Sequence, residues 1–127
     1  MRLTEVVSIL EAEILVVGNE ADPEVRWGGG SDSVSDVLIF GKPGMLLLTG
    51  LTQASVVRAA QLMEIAAVVF VRGKRPDEGV LHMAAKLGIP MLVSPHSLFD
   101  SCGRLYQRGL SGVIGNRAET VSSGRRE

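Results

Sequence analysis

Apolar and polar positions in the middle of the chain repeat in three units. Met45-Leu-Leu-Leu-Thr49-Gly50, Ala67-Val-Val-Phe-Val71-Arg72-Gly73 and Ile89-Pro-Met-Leu-Val93-Ser94-Pro95 are apolar runs of strand length that end in small or polar residues. Such runs read as parallel strands buried on both faces, and each parallel connection requires a crossover helix. The helices are there in the pattern. Gln53 to Met63 sets Val56, Val57, Ala60 and Met63 three and four apart, leaving Arg58, Gln61 and Glu64 wet. Asp77 to Leu87 repeats this with Val80, Leu81, Ala84, Ala85 and Leu87, between Pro76 at its start and Gly88 at its stop. Ser97-Leu98-Phe99-Asp100 has the spacing of a capping box and opens a helix that runs through Leu105 and Tyr106 to Arg108, where Gly109 ends it. The pattern predicts a single small α/β domain with a mostly parallel sheet and helices packed on it.

The first 44 residues carry weaker signals. Thr4 is placed to cap a short helix through Leu10, and Glu13 to Val17 reads as a strand ended by Gly18-Asn19 and Asp22-Pro23. A second short strand is expected at Val25-Arg26-Trp27, with Gly28-Gly29-Gly30-Ser31-Asp32 as a connecting loop. Ser33 to Phe40 reads as one or two helical turns, and Gly41-Lys42-Pro43-Gly44 as a turn into the Met45 strand. The domain is expected to span 1–113. From Gly115 the chain is polar without an apolar period, so 114–127 is expected to be a disordered tail.

Composition narrows the classes of function. A chain of 127 residues can bury roughly two thirds of its unfolded surface in one core. Thirteen Lys and Arg against 14 Asp and Glu leave no basic excess for a nucleic-acid backbone, and 4% aromatics offer few stacking platforms. The longest apolar run, Ile65 to Val71, is far short of the roughly 20 residues that span a bilayer. Charges at Arg2, Glu5, Glu11 and Glu13 are wrong for the centre of a secretory signal, so a cytoplasmic setting is expected, with neither nucleic acid nor membrane as partner. One cysteine, Cys102, rules out an intrachain disulfide and a multi-cysteine metal site. Between Phe99 and Leu105 it reads as a small buried hydrophobe.

In open α/β sheets ligands bind outside the carboxyl ends of the strands, which directs attention to three turns. Arg72, Lys74 and Arg75 around Gly73 combine cations with backbone N–H groups suited to a phosphate or carboxylate, the alternative being a solvated loop or subunit contact. Thr49, Gly50 and Thr52 fit either a phosphate or a cap for the next helix. Ser94 and His96 complete the edge, but an acid–base role for His96 needs a nucleophile or carboxylate beside it. The ligand-binding candidates are therefore Thr49, Gly50, Thr52, Arg72, Gly73, Lys74, Ser94 and His96. His82, between Glu78 and Lys86, reads as surface. Asp32 and Asp36 do not make a calcium or magnesium motif, and helix capping explains either more simply. No catalytic residue, metal or cofactor is expected. Gly41-Lys42-Pro43-Gly44 lacks the spacing and the hydroxyl of a phosphate loop, which excludes a kinase of that type.

Val71-Arg72-Gly73-Lys74-Arg75-Pro76, Leu87-Gly88-Ile89-Pro90-Met91-Leu92 and Phe99 to Leu105, together with Ser31-Asp32 through Leu38, resemble the DRTGG domain family over roughly residues 1–113. The resemblance implies a fold like the amino-terminal domain of HPr kinase/phosphorylase and, more distantly, of Mur ligases. It also implies a homodimeric regulatory or assembly module of the kind attached to CBS-containing pyrophosphatases or phosphotransacetylases, or standing alone. The sequence departs from the family's name: Leu51-Thr52 follow Thr49-Gly50, and the later turn is Arg72-Gly73-Lys74. A role tied to Asp-Arg does not carry over. Two functions follow as expectations. One is a non-catalytic regulatory homodimer that modulates a protein partner. The other is a sensor of a nucleotide or other anionic small molecule at the strand ends.

Overall fold

The computed structural model describes residues 1–113, so the expected tail at 114–127 lies outside the described residues. The elements run α1 (Leu3–Leu10), β1 (Glu13–Val16), β2 (Trp27–Gly30), α2 (Val34–Phe40), β3 (Met45–Thr49), α3 (Ala54–Leu62), β4 (Ala67–Phe70), α4 (Glu78–Leu87), β5 (Met91–Val93), α5 (Leu98–Gln107) and β6 (Ser111–Gly112). One sheet holds the strands in the order β1-β5-β4-β3-β2-β6. All neighbours are parallel except β1, which joins β5 antiparallel at the edge. The expected α/β architecture is the one formed.

Alternation along the strands divides the core into two layers. Met45, Leu47, Val68, Phe70, Met91 and Val93 pack with Val37, Val56, Val57, Ala60, Val80 and Ala84 of α2, α3 and α4. Leu46, Leu48, Ala67, Val69 and Leu92 face the other way, against Leu3, Val6, Leu10 and Leu105 of α1 and α5. Successive strand side chains point to opposite faces, so a continuous apolar run is what a two-sided burial demands. Each fully buried Leu, Val or Phe contributes about 1.5–3 kcal/mol of transfer free energy. This gives helices on both faces and fixes where the strand ends open.

Several local expectations are corrected. The α1 cap is Arg2, whose backbone N–H donates to Glu5 Oε1 at 2.8 Å; Thr4 instead bonds Asp22 through both its N–H and its hydroxyl. β1 stops at Val16, one residue early. The largest change is at the glycines: the second strand is Trp27–Gly30, and Gly28-Gly29-Gly30 lies inside the sheet, not in a loop. The reason is close packing on both faces. A Cβ would stand 2.9 Å from Leu110 Cδ2 at Gly28, 2.5 Å from Met45 Cε at Gly29 and 2.7 Å from Cys102 Sγ at Gly30. Only a strand without side chains lets α5 and Met45 approach so closely. Gly41 to Gly44 is the expected turn, closed by Met45 N–H to Lys42 O, with Trp27 donating to Pro43 O under the Lys42 ammonium.

Candidate functional site

The three expected turns all lie at one edge of the sheet, beyond the carboxyl ends of β3, β4 and β5. The end of β2 joins them through Asp32. Gly50 N–H donates to Asp32 Oδ1 at 2.7 Å and the Thr49 hydroxyl donates to the same oxygen at 3.2 Å, while Leu51 N–H donates to Thr49 Oγ1. Thr49 and Thr52 therefore do not cap α3; its cap is Gln53, without a side-chain bond. Asp32 and Asp36 are not caps either, since Ser33 Oγ accepts from Asp36 N–H at the start of α2. Among the described residues no group of three or more His, Cys, Asp or Glu is arranged for a metal ion.

At the end of β4 a β-turn is closed by Lys74 N–H to Val71 O at 3.1 Å, and both central residues have positive φ, +58° at Arg72 and +66° at Gly73. Gly73 takes this conformation freely, whereas a left-handed arginine is strained. Two hydrogen bonds hold it: Arg72 N–H donates to His96 O and Gly73 N–H to Ser94 O, both at 2.8 Å. The backbone donors that sequence offered to an anion are thus spent within the protein. What stays available is side-chain charge. Arg72 Nη2 lies 3.2 Å from where a Cβ on Gly50 would stand, with Asp32 Oδ1 on the same point at 3.4 Å. Lys74 is exposed beside it, while Arg75 is committed to Glu13 by bonds of 2.9 and 3.2 Å. Those bonds, then the arginine charge, hold the Glu13 carboxyl below the usual carboxylate range.

The Ser94 and His96 side chains are engaged elsewhere. The buried Ser94 hydroxyl donates to Leu10 O at 2.8 Å and accepts from the His96 backbone N–H, while His96 Nε2 meets Glu11 Oε1 at 2.8 Å. The imidazole does not touch the serine. Their contacts pin the end of β5 to the α1–β1 corner, and nothing in that geometry activates the hydroxyl for attack. The structure thus brings Thr49, Gly50 and the Arg72 side chain together with Asp32, while Ser94 and His96 meet the Arg72–Gly73 turn through their backbone carbonyls and turn their side chains to Leu10 O and Glu11. Asp32 is the member sequence reasoning missed, because its position depends on the glycine run being a strand.

A second feature lies along the β2–β6 side. Gly28, Gly29 and Gly30 floor an apolar cavity of about 330 Å³ walled by Leu48, Phe99, Cys102 and Leu110, and a cavity of about 250 Å³ on the opposite face reaches Val37, Phe40 and Met45. Phe99 is 86% exposed and Ile39 68%, with Leu38 and Phe40 also exposed. Burial pushes the Cys102 thiol up from its ordinary value.

Residues 5–107 match the family described as the DRTGG domain. The chain belongs to the DRTGG domain family. A solved structure similar to it is that of the CBS and DRTGG domains of the regulatory region of Clostridium perfringens pyrophosphatase, complexed with its activator diadenosine tetraphosphate. That likeness has a TM-score of 0.69 at 17% identity over 83% of this chain. It establishes a shared fold. This DRTGG domain spans 46% of that chain. A search of the curated proteins finds no match. No helix among the described residues is long and apolar enough to cross a membrane.

Proposed function

We propose that this DRTGG domain is a non-catalytic regulatory module that acts in the cytoplasm as a homodimer and modulates a partner protein. The observation that carries the reading is that both faces of the glycine strand β2 carry an apolar cavity bordered by an exposed aromatic side chain, Phe99 of α5 on one face and Phe40 of α2 on the other, with exposed Ile39 next to Phe40 in α2. Exposed apolar side chains beside apolar cavities support association, and burying each large side chain contributes about 1.5–3 kcal/mol. The strand-end polar groups supply no contrary sign of catalysis: the Ser94 hydroxyl is spent on Leu10 O and the His96 ring on Glu11. Gel filtration with light scattering of the wild type and of Ile39→Asp/Phe99→Asp tests this. A dimer that the double variant converts to a folded monomer is expected, and a wild-type monomer at micromolar concentration contradicts it.

A second reading, a sensor of a nucleotide or another phosphorylated metabolite, is favoured by the strained Arg72 at the strand-end edge. The regulatory region of similar fold is complexed with a nucleotide activator. Thr49, Gly50, Thr52, Arg72, Gly73, Lys74, Ser94 and His96 are the residues first assigned to this edge. In this reading the ligand contact falls to the Arg72 and Lys74 side chains, because the Arg72 and Gly73 N–H groups are already bonded. Calorimetric titration with nucleoside phosphates tests it.

A further inference from the structure

Resting on the sensor reading, we infer that the ligand carries a ribose and a phosphate, the ribose held by Asp32 and the phosphate by Arg72 and Lys74. Asp32 Oδ1 already occupies the position from which an incoming phosphate oxygen would meet Gly50 N–H and the Thr49 hydroxyl. A phosphate arriving at that turn meets a carboxylate of like charge. The end of β2 is therefore a seat for hydrogen-bond donors, not for anions. Oδ2 of the same exposed carboxylate accepts no hydrogen bond among the described residues, and it is the atom that faces a ligand unspent.

The other half of the seat lies across Gly50. Arg72 is turned over this glycine by its left-handed backbone, and no ion pair joins it to Asp32 although both approach the same point. Lys74 follows on the same turn. An acceptor at the end of β2 and two cations at the end of β4, separated by the side-chain-free Gly50 at the end of β3, match a molecule with hydroxyls at one end and a phosphate at the other. An acidic side chain at a strand end that accepts ribose hydroxyls is a recurring solution in doubly wound sheets. Arginine beside it supplies the planar donor set that phosphate favours.

The test is calorimetric titration of the full chain with AMP, GMP, CMP and UMP, the 2′,3′-dideoxy form of whichever binds, and inorganic phosphate. Asp32→Asn preserves an acceptor for Gly50 N–H and replaces the free oxygen by a donor, and Arg72→Ala removes the cation. The inference expects about tenfold or greater weakening for the dideoxy nucleotide, for Asp32→Asn and for Arg72→Ala, with inorganic phosphate weaker than the nucleotide. A nucleotide bound equally well in its dideoxy form overturns the ribose assignment while leaving the sensor reading intact. The dideoxy comparison uses the wild type, so it decides even if a variant fails to fold. If none of the four nucleotides binds, this inference falls, and the sensor reading falls with it only if other phosphorylated metabolites also fail to bind.

Discussion

Asp32, supplied from beyond β2, accepts the Gly50 backbone N–H at 2.7 Å and so closes the end of β3 with a carboxylate. The same oxygen takes the hydroxyl of the buried Thr49. Removing that acceptor leaves two donors unpaired near the core. Asp32→Ala is expected to lower stability by about 1–3 kcal/mol, and Asp32→Asn, which retains an oxygen, by less. Urea denaturation of the two variants measures the difference; equal losses would mean that the bond to Gly50 adds nothing.

Gly30 and Cys102 make a packing pair that can be tested as such. A Cβ at Gly30 meets Cys102 Sγ at 2.7 Å and Leu98 Cδ1 at 3.0 Å, so Gly30→Ala should destabilise by about 1–3 kcal/mol through overpacking. Cys102→Ala in the same chain should return part of that loss. A double-mutant cycle with no coupling between the two would refute the contact.

The Cys102 thiol should react slowly. Half-buried and pushed above its ordinary pKa by desolvation, it is held as the neutral thiol near neutral pH. Ellman's reagent is expected to modify native protein far more slowly than denatured protein. Equal rates would show an open, thiolate-forming site.

Glu13 titrates lower in the folded chain than in the unfolded one because Arg75 bonds and attracts its charged form. A depressed carboxylate pKa contributes stability above the unfolded value, and that contribution disappears as pH falls through the folded value. The pair is exposed, so the effect is small. Urea midpoints of wild type and Glu13→Gln should differ at neutral pH and converge on acidification; a gap that persists at low pH would assign the effect to something else.

Ser94 illustrates a residue whose role is structural despite its place at the strand ends. Its buried hydroxyl donates to Leu10 O, and Ser94→Ala leaves that carbonyl without this donor. A loss of about 1–3 kcal/mol in thermal or urea unfolding is expected. An unchanged stability would remove the bond from the account.

The α/β fold was legible because β3, β4 and β5 are buried on both faces and their residues are apolar for that reason. Stop and cap chemistry at Asp77, Gly88 and Ser97 placed α4 and α5 to within a residue. The glycine strand was not legible, since Gly28, Gly29 and Gly30 report a close approach by Leu110, Met45 and Cys102 that exists only after folding. Missing that strand also hid Asp32. Arg72 and Lys74 could be singled out from charge and turn chemistry alone, but the spending of the Arg72 and Gly73 N–H groups on His96 O and Ser94 O is a long-range event with no local signature.

Self-association through the apolar sides of β2 is decided by sedimentation velocity of the wild-type chain across a concentration series. The expected result is a species of twice the 13.5 kDa chain mass that dissociates only on dilution. A single species at 13.5 kDa throughout the micromolar range would contradict it.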